Sequence, residues 1–190
     1  MSYSGGEHFN KLAKSKGYRS RAAFKLQQID KKFRLFKKGF FVMDLGSSPG
    51  GWSQVAKELV GDTGKVYALD IIPMKSINGV EFIEYDFRDK DIKKFINLNF
   101  NVVISDIAPN ISGIAFADKE NMLELLNNVV EFSNSFLLKG GSLLAKCFED
   151  SKNDLKRSLF NHYSNVTFYK PDASRKISKE IYVIAQNKLK

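Results

Sequence analysis

From residue 40 onward the chain alternates short apolar runs with helical repeats, and that alternation leaves very few folds open to it. Phe40–Leu45, Val66–Ile71, Val80–Tyr85, Asn101–Asp106, Ser142–Phe148, Val166–Tyr169 and Ile181–Ala185 are rich in Val, Ile and Phe and read as strands. Between them, Trp52, Val55, Ala56, Leu59 and Val60 recur at helical spacing until Gly61. Met122, Leu125, Leu126, Val129, Val130 and Phe136 do the same in a helix expected over Asp118–Leu138 and closed by Gly140. Nearly continuous apolar strands separated by amphipathic helices require a mostly parallel sheet with helices on both faces, the α/β class. No helical pattern separates the last two strands, so they are expected to pair antiparallel at one edge. Nothing repeats and no low-complexity linker intervenes, so residues 1–190 read as one domain, with a basic segment over 1–38 and the core over 39–190.

Charge is informative for where it sits. The formal net charge is +9. Residues 1–38 hold 11 Lys and Arg against 2 Asp and Glu, whereas residues 39–190 hold 19 of each. A neutral body with a basic leading segment is the signature of a polyanion-binding surface, although a solvated, solubilising tail gives the same count. Within that segment a helix is expected to start at Ser20, with Ala22, Leu26, Ile29 and Phe33 on one stripe and Arg21, Lys25, Gln28 and Lys32 on another. No apolar run approaches the length of a membrane span, and residues 1–18 lack a signal-peptide pattern. The single cysteine, Cys147, and two distant histidines, His8 and His162, argue against an internal disulfide and a zinc centre; none of the three is assigned a role. A cytoplasmic protein is expected, with mitochondrion or nucleolus as alternatives.

The first strand runs into Asp44-Leu45-Gly46-Ser47-Ser48-Pro49-Gly50-Gly51-Trp52, and a helix follows directly. Gly46, Gly50 and Gly51 let the backbone approach a ligand at a helix N-terminus, although a tight turn without a ligand has the same composition. The spacing fits neither the dinucleotide fingerprint nor a phosphate-cradling loop. Asp44, Asp70 and Asp86 close or follow three successive strands, where open parallel sheets bind ligands, and Asp106 ends the fourth. Asp70 suits ribose hydroxyls and Asp86 the exocyclic amine of a base, although either alone could be a turn-former. Such carboxylates favour a neutral or cationic nucleoside over a pyrophosphate, which points to S-adenosyl-L-methionine. Lys146 is out of place inside Leu143–Phe148 unless it is paired or snorkels, and Asp106 on the neighbouring strand is its natural partner.

Four stretches carry a resemblance. Gly17-Tyr18-Arg19-Ser20-Arg21-Ala22-Ala23-Phe24-Lys25-Leu26, the run from Asp44 to Ser53, Asp106-Ile107-Ala108-Pro109-Asn110-Ile111-Ser112-Gly113, and Pro171–Arg175 before Glu180 resemble the FtsJ (RrmJ-type) ribosomal RNA ribose 2′-O-methyltransferases. The likeness runs from about Glu7 to the end, and Met1–Gly6 has no counterpart in it. It implies a Rossmann-like methyltransferase fold of seven strands, the last antiparallel, with an RNA-facing helix before it. It also implies a catalytic tetrad of Lys25, Asp106, Lys146 and Glu180, with Lys146 removing the 2′-hydroxyl proton. Gly50, Trp52, Asp70, Asp86 and Asp106 are carried over as cofactor residues. The partner implied is ribosomal RNA or the large ribosomal subunit, modified at a uridine and met by a monomer. The basic face Lys11–Lys38, with Arg175, Lys176 and Lys179, would hold its phosphates. A tRNA anticodon loop, a messenger RNA cap or a non-catalytic assembly role are the alternatives; a nicotinamide dehydrogenase is disfavoured by the glycine spacing.

Overall fold

The computed structural model describes residues 5–109, 112–175 and 177–190. Strands β1 (Phe41–Leu45), β2 (Lys65–Asp70), β3 (Val80–Glu84), β4 (Phe100–Ser105), β5 (Leu137–Phe148), β6 (Tyr163–Tyr169) and β7 (Glu180–Lys188) form one sheet in the order β3-β2-β1-β4-β5-β7-β6. β1 to β5 pair in parallel, and β7 runs antiparallel to both β5 and β6. The expected antiparallel pair is present, with β6 at the edge and β7 inserted beside β5.

Strand parity divides the core. Val42, Val66, Val102, Ile104, Leu144 and Ile184 face helices α2 (Ala22–Phe33) and α3 (Gly51–Val60). Met43, Leu69, Val103, Leu143, Cys147 and Val183 face α5 (Ala115–Phe136) and α6 (Lys152–Phe160). Continuing the first parity past the strand ends puts Asp106, Lys146, Glu180 and Tyr182 on the α2 side of the sheet, which is why they can meet. The neighbouring Cys147 falls on the other side, and burial pushes its thiol up to about 12.

Two local expectations are corrected. Ser20 does not cap α2; the helix begins after Arg21, and the Ser20 carbonyl, not its hydroxyl, accepts the Ala23 N–H at 3.3 Å. Gly140 does not close α5; that helix ends at Phe136, the chain enters β5 at once, and Gly140 lies inside the strand with φ +79° beside a register shift against β4. The leading segment also contains α1 (Gly5–Ser15), docked through Phe9, Leu12 and Ala13 onto Phe24 and Ala173. A short α4 (Ile92–Phe95) fills the compact stretch after β3. Among the described residues no helix is long and apolar enough to cross a membrane.

Candidate functional site

A cavity of about 540 Å³ opens beyond the carboxyl ends of β1 to β4. Gly46, Ser48, Asp70, Asp86, Asp106 and Asn121 supply its polar lining, and Ile71, Phe87, Ile107, Pro109 and Leu125 its apolar lining. Asp70 is oriented from both oxygens: Oδ2 accepts the Ser48 N–H at 2.8 Å and Oδ1 the Ile72 N–H at 2.9 Å. Each oxygen has further lone-pair capacity for a ligand hydroxyl. Asp86 is engaged differently, by a fork from Arg88 in which Nη2 reaches Oδ2 at 2.6 Å and Nε reaches Oδ1 at 2.9 Å. That guanidinium holds the Asp86 carboxyl below the usual carboxylate range.

Gly50, Gly51 and Trp52 are placed behind this cavity, outside its lining. Trp52 is buried, its Nε1 donates to the Ala22 carbonyl at 2.8 Å, and its ring packs on Tyr182. A side chain on Gly51 would strike Ser20 Oγ.

Asp44 sits beneath the same turn, fully buried, with Ser53 Oγ donating to its Oδ2 at 2.6 Å. Burial pushes its carboxyl up to about 7; the Ser53 bond opposes the rise, and the charges of Asp106 and Asp70 add to it. The folded value lies above the ordinary 3.8, so the unfolded chain loses this proton first. Stability therefore falls as pH rises from about 4 through about 7, by up to about 4 kcal/mol. Asp44→Asn keeps the Ser53 partner and removes that loss. Its gain in thermal stability over the wild type is expected to be small near pH 4 and largest above about pH 7. A pH-independent difference in melting temperature would contradict this placement of Asp44.

Beside the cavity mouth, four side chains from distant parts of the sequence converge. Lys25 arrives on α2, Asp106 at the end of β4, Lys146 on β5 and Glu180 at the start of β7. Lys146 Nζ donates to the Asp106 carbonyl at 2.6 Å and forms an ion pair with Asp106 Oδ1 at 3.0 Å. Lys25 Nζ lies 3.9 Å from Asp106 Oδ1 and 4.0 Å from Glu180 Oε2. Burial lowers the Lys25 pKa; the carboxylates of Asp106 and Glu180 oppose the shift, and the charge of Lys146 adds to it.

A fifth group, absent from the sequence reading, ties the cluster together. Tyr182 Oη accepts from Lys25 Nζ at 2.9 Å and donates to Asp106 Oδ1 at 2.6 Å. Burial first, then the Asp106 carboxylate, push its hydroxyl well above 10, so it stays protonated. Its signal was its spacing, two residues after Glu180 on the same strand face and in register with Lys146.

Of the basic residues in the leading segment and in residues 175–179, Lys11, Lys14, Lys16, Lys31, Lys32, Arg34, Lys37, Lys38, Arg175 and Lys179 are exposed. Lys176 and the Asn110-Ile111 part of the third motif lie outside the described residues. His162 is exposed just beyond α6.

The sheet order, the carboxylate-lined cavity at its carboxyl edge and the lysine–carboxylate cluster beside it define a Rossmann-like methyltransferase. The profile of the FtsJ-like methyltransferases matches residues 18–188, and the chain belongs to that family. It is 44% identical over 185 residues to the ribosomal RNA large subunit methyltransferase E of Psychrobacter sp. (94% of this chain, 88% of the relative). It is 41% identical over 188 residues to the protein of that name from Neisseria meningitidis (96% and 91%). Among solved structures, a Plasmodium falciparum protein named as a ribosomal RNA methyltransferase superposes with TM-score 0.79 at 28% identity, covering 90% of this chain and 99% of that one. The fibrillarin of Aeropyrum pernix, solved with S-adenosyl-L-methionine, matches with TM-score 0.63 at 17% identity over 88% of this chain and 75% of that one, a likeness of fold alone.

Proposed function

We propose that this chain transfers a methyl group from S-adenosyl-L-methionine to a ribose 2′-hydroxyl of large-subunit ribosomal RNA, at a uridine. The observation that carries the reading is the convergence of Lys25, Asp106, Lys146 and Glu180 at the mouth of the carboxylate-lined cavity. The names of the curated relatives support the substrate, and their bacterial sources favour a cytoplasmic site of action.

The cavity suits the cofactor. The two oxygens of Asp70 are held in place by backbone donors, which orients them for the two hydroxyls of a ribose. Asp106 places negative charge beside a cationic cofactor, and Asp86, its charge balanced by Arg88, keeps lone-pair capacity for the amine of a base. Ile71, Ile107 and Leu125 offer apolar contact to a purine ring. Asp70→Ala is expected to weaken cofactor affinity by about tenfold or more, the equivalent of one lost charge-assisted bond. Calorimetric titration with S-adenosylhomocysteine measures this, and unchanged affinity would remove Asp70 from the ribose role.

When bound, the cofactor supplies a methyl group already activated by its sulfonium. The chain must then position a ribose hydroxyl and take its proton. Lys146 is built for that task. The Asp106 carbonyl accepts from its Nζ and the Asp106 carboxylate lies 3.0 Å away, so the nitrogen is held in one place beside the cavity. The 2′-hydroxyl proton passes to Nζ as the oxygen attacks the methyl carbon. Tyr182 donates to the Asp106 oxygen that also faces Lys146 and Lys25, and Glu180 lies 4.0 Å from the Lys25 ammonium. The exposed lysines and arginines of the leading segment and of Arg175–Lys179 hold the RNA backbone, in a manner that weakens with salt.

The substrate is tested by presenting labelled cofactor to large ribosomal subunits lacking ribose methylation and, in parallel, to unmodified tRNA. Label on the subunit alone is expected; label on tRNA alone would keep the chemistry and reject the substrate.

A further inference from the structure

Arg19 belongs by sequence to the basic leading segment, and by charge alone it would be counted as a phosphate contact. Its geometry is different. Nη1 donates to the carbonyls of Pro49 at 3.1 Å and Lys75 at 2.5 Å, and Nη2 donates to the carbonyl of Ser76 at 2.6 Å. The guanidinium thus bridges two segments: the glycine turn after β1, and residues 71–79 connecting β2 to β3. Both border the cavity, through Gly46 and Ser48 on one side and Ile71 and Ile72 on the other.

The connection is otherwise tied at its ends, where the Ile72 N–H donates to Asp70 Oδ1 at 2.9 Å and the Val80 N–H to the Ile77 carbonyl at 3.1 Å. Most of residues 71–79 are exposed, and the half-buried ones are Met74 and Ile77. Those two pack against Gly50, whose φ is +104°; a Cβ there would lie 2.6 Å from Ile77 Cδ1, 2.7 Å from Met74 Sδ and 3.2 Å from Arg19 Nη1. The three side chains therefore cover the glycine turn as one layer, with Arg19 as its only charged member. Arg19 is itself anchored, since its N–H donates to Gln54 Oε1 at 2.9 Å and Gln54 Nε2 donates to the Gly17 carbonyl at 3.0 Å. A planar fork suits carbonyls on two segments at once, which a lysine ammonium on a flexible stem matches poorly.

We propose that Arg19 is a positioning residue for the cofactor, holding residues 71–79 against the glycine turn so that Ile71, Ile72 and Asp70 keep their places in the cavity wall. Arg19 lies six residues before Lys25, so the segment that faces RNA also sets the shape of the cofactor site. The inference rests on the cofactor reading of the cavity above.

The test uses the full chain and its Arg19→Ala and Arg19→Lys variants. S-adenosylhomocysteine affinity is measured by calorimetry, RNA affinity by filter binding, and methyl transfer at varied cofactor. Arg19→Ala is expected to raise the cofactor Kd and KM by about tenfold or more, with Arg19→Lys between it and the wild type. RNA affinity and kcat at saturating cofactor are expected to stay within about threefold, because the tetrad keeps its contacts. A purely structural role would lower melting temperature and kcat together without a selective rise in KM, and would overturn the proposal. Weakened RNA binding with unchanged cofactor affinity would overturn it as well, by making Arg19 a phosphate contact. If Arg19→Ala does not fold, Arg19→Lys decides: cofactor affinity equal to wild type rejects the proposal. Failure of the wild type to bind S-adenosylhomocysteine would instead reject the cofactor reading itself.

Discussion

Replacing Lys146 with alanine is expected to lower kcat by about 10²–10⁴-fold, the range a positioned proton acceptor supplies, while cofactor affinity stays near the wild-type value. The separation follows from placement: Lys146 touches Asp106 and is absent from the cavity lining. Lys146→Arg sharpens the test. Arginine keeps the positive charge, and it remains protonated in proteins, so it cannot take the 2′-hydroxyl proton. An arginine variant as inactive as the alanine variant supports proton removal by Lys146. Near-normal turnover by the arginine variant would instead assign the residue to electrostatic steering of the developing alkoxide. Both outcomes are read from single-turnover transfer at saturating cofactor, with binding measured separately.

The second large effect is expected at Asp106. Its Oδ1 accepts from Tyr182 and forms ion pairs with Lys146 and Lys25, and its side chain also lines the cofactor cavity. Asp106→Asn removes the charge on which two ammonium groups depend and turns one acceptor into a donor. Turnover is expected to fall at least as far as in Lys146→Ala, and cofactor affinity, unlike there, to fall with it. Thermal stability is expected to drop as well, by up to about 3 kcal/mol, since breaking one side of a buried ion pair strands the other. The value is held below that of a fully buried pair because 19% of the Asp106 side chain remains accessible. Stopped-flow transfer, calorimetry and thermal unfolding on one preparation separate the three effects. A variant that lost turnover but kept full cofactor affinity would remove Asp106 from the cofactor wall.

The sheet was legible because Val, Ile and Phe runs mark strands that are buried on both faces, and the same parity puts Lys146 beneath α2 with Leu144. The carboxylates were legible for a related reason: Asp70, Asp86 and Asp106 each follow or close an apolar run, so their place at the sheet edge follows from the strand ends. Side-chain direction was not. Arg19 and Lys31 are both cations of one basic segment, yet one turns onto backbone carbonyls and the other faces solvent. That choice depends on residues 71–79, more than fifty positions away. Tyr182 escaped notice because an aromatic residue in an apolar strand looks like core; only the register between β5 and β7 brings its hydroxyl to Asp106 and Lys25. α1 carries few apolar residues, and its docking partners Phe24 and Ala173 are supplied by other parts of the chain. Ser20 had the residue type of a cap but not the backbone position: α2 begins at Ala22, and the Ser20 hydroxyl lies against Gly51.

Alkaline hydrolysis of the labelled product shows whether the methyl group has gone to a ribose oxygen. Alkali cleaves RNA through a free 2′-hydroxyl, so a 2′-O-methylated residue survives linked to its neighbour. Large-subunit RNA labelled by this enzyme is expected to release its label in an alkali-stable dinucleotide, and RNA treated with Lys146→Ala to release almost none. Label recovered in mononucleotides would place the methyl group on a base and contradict the role given to the tetrad.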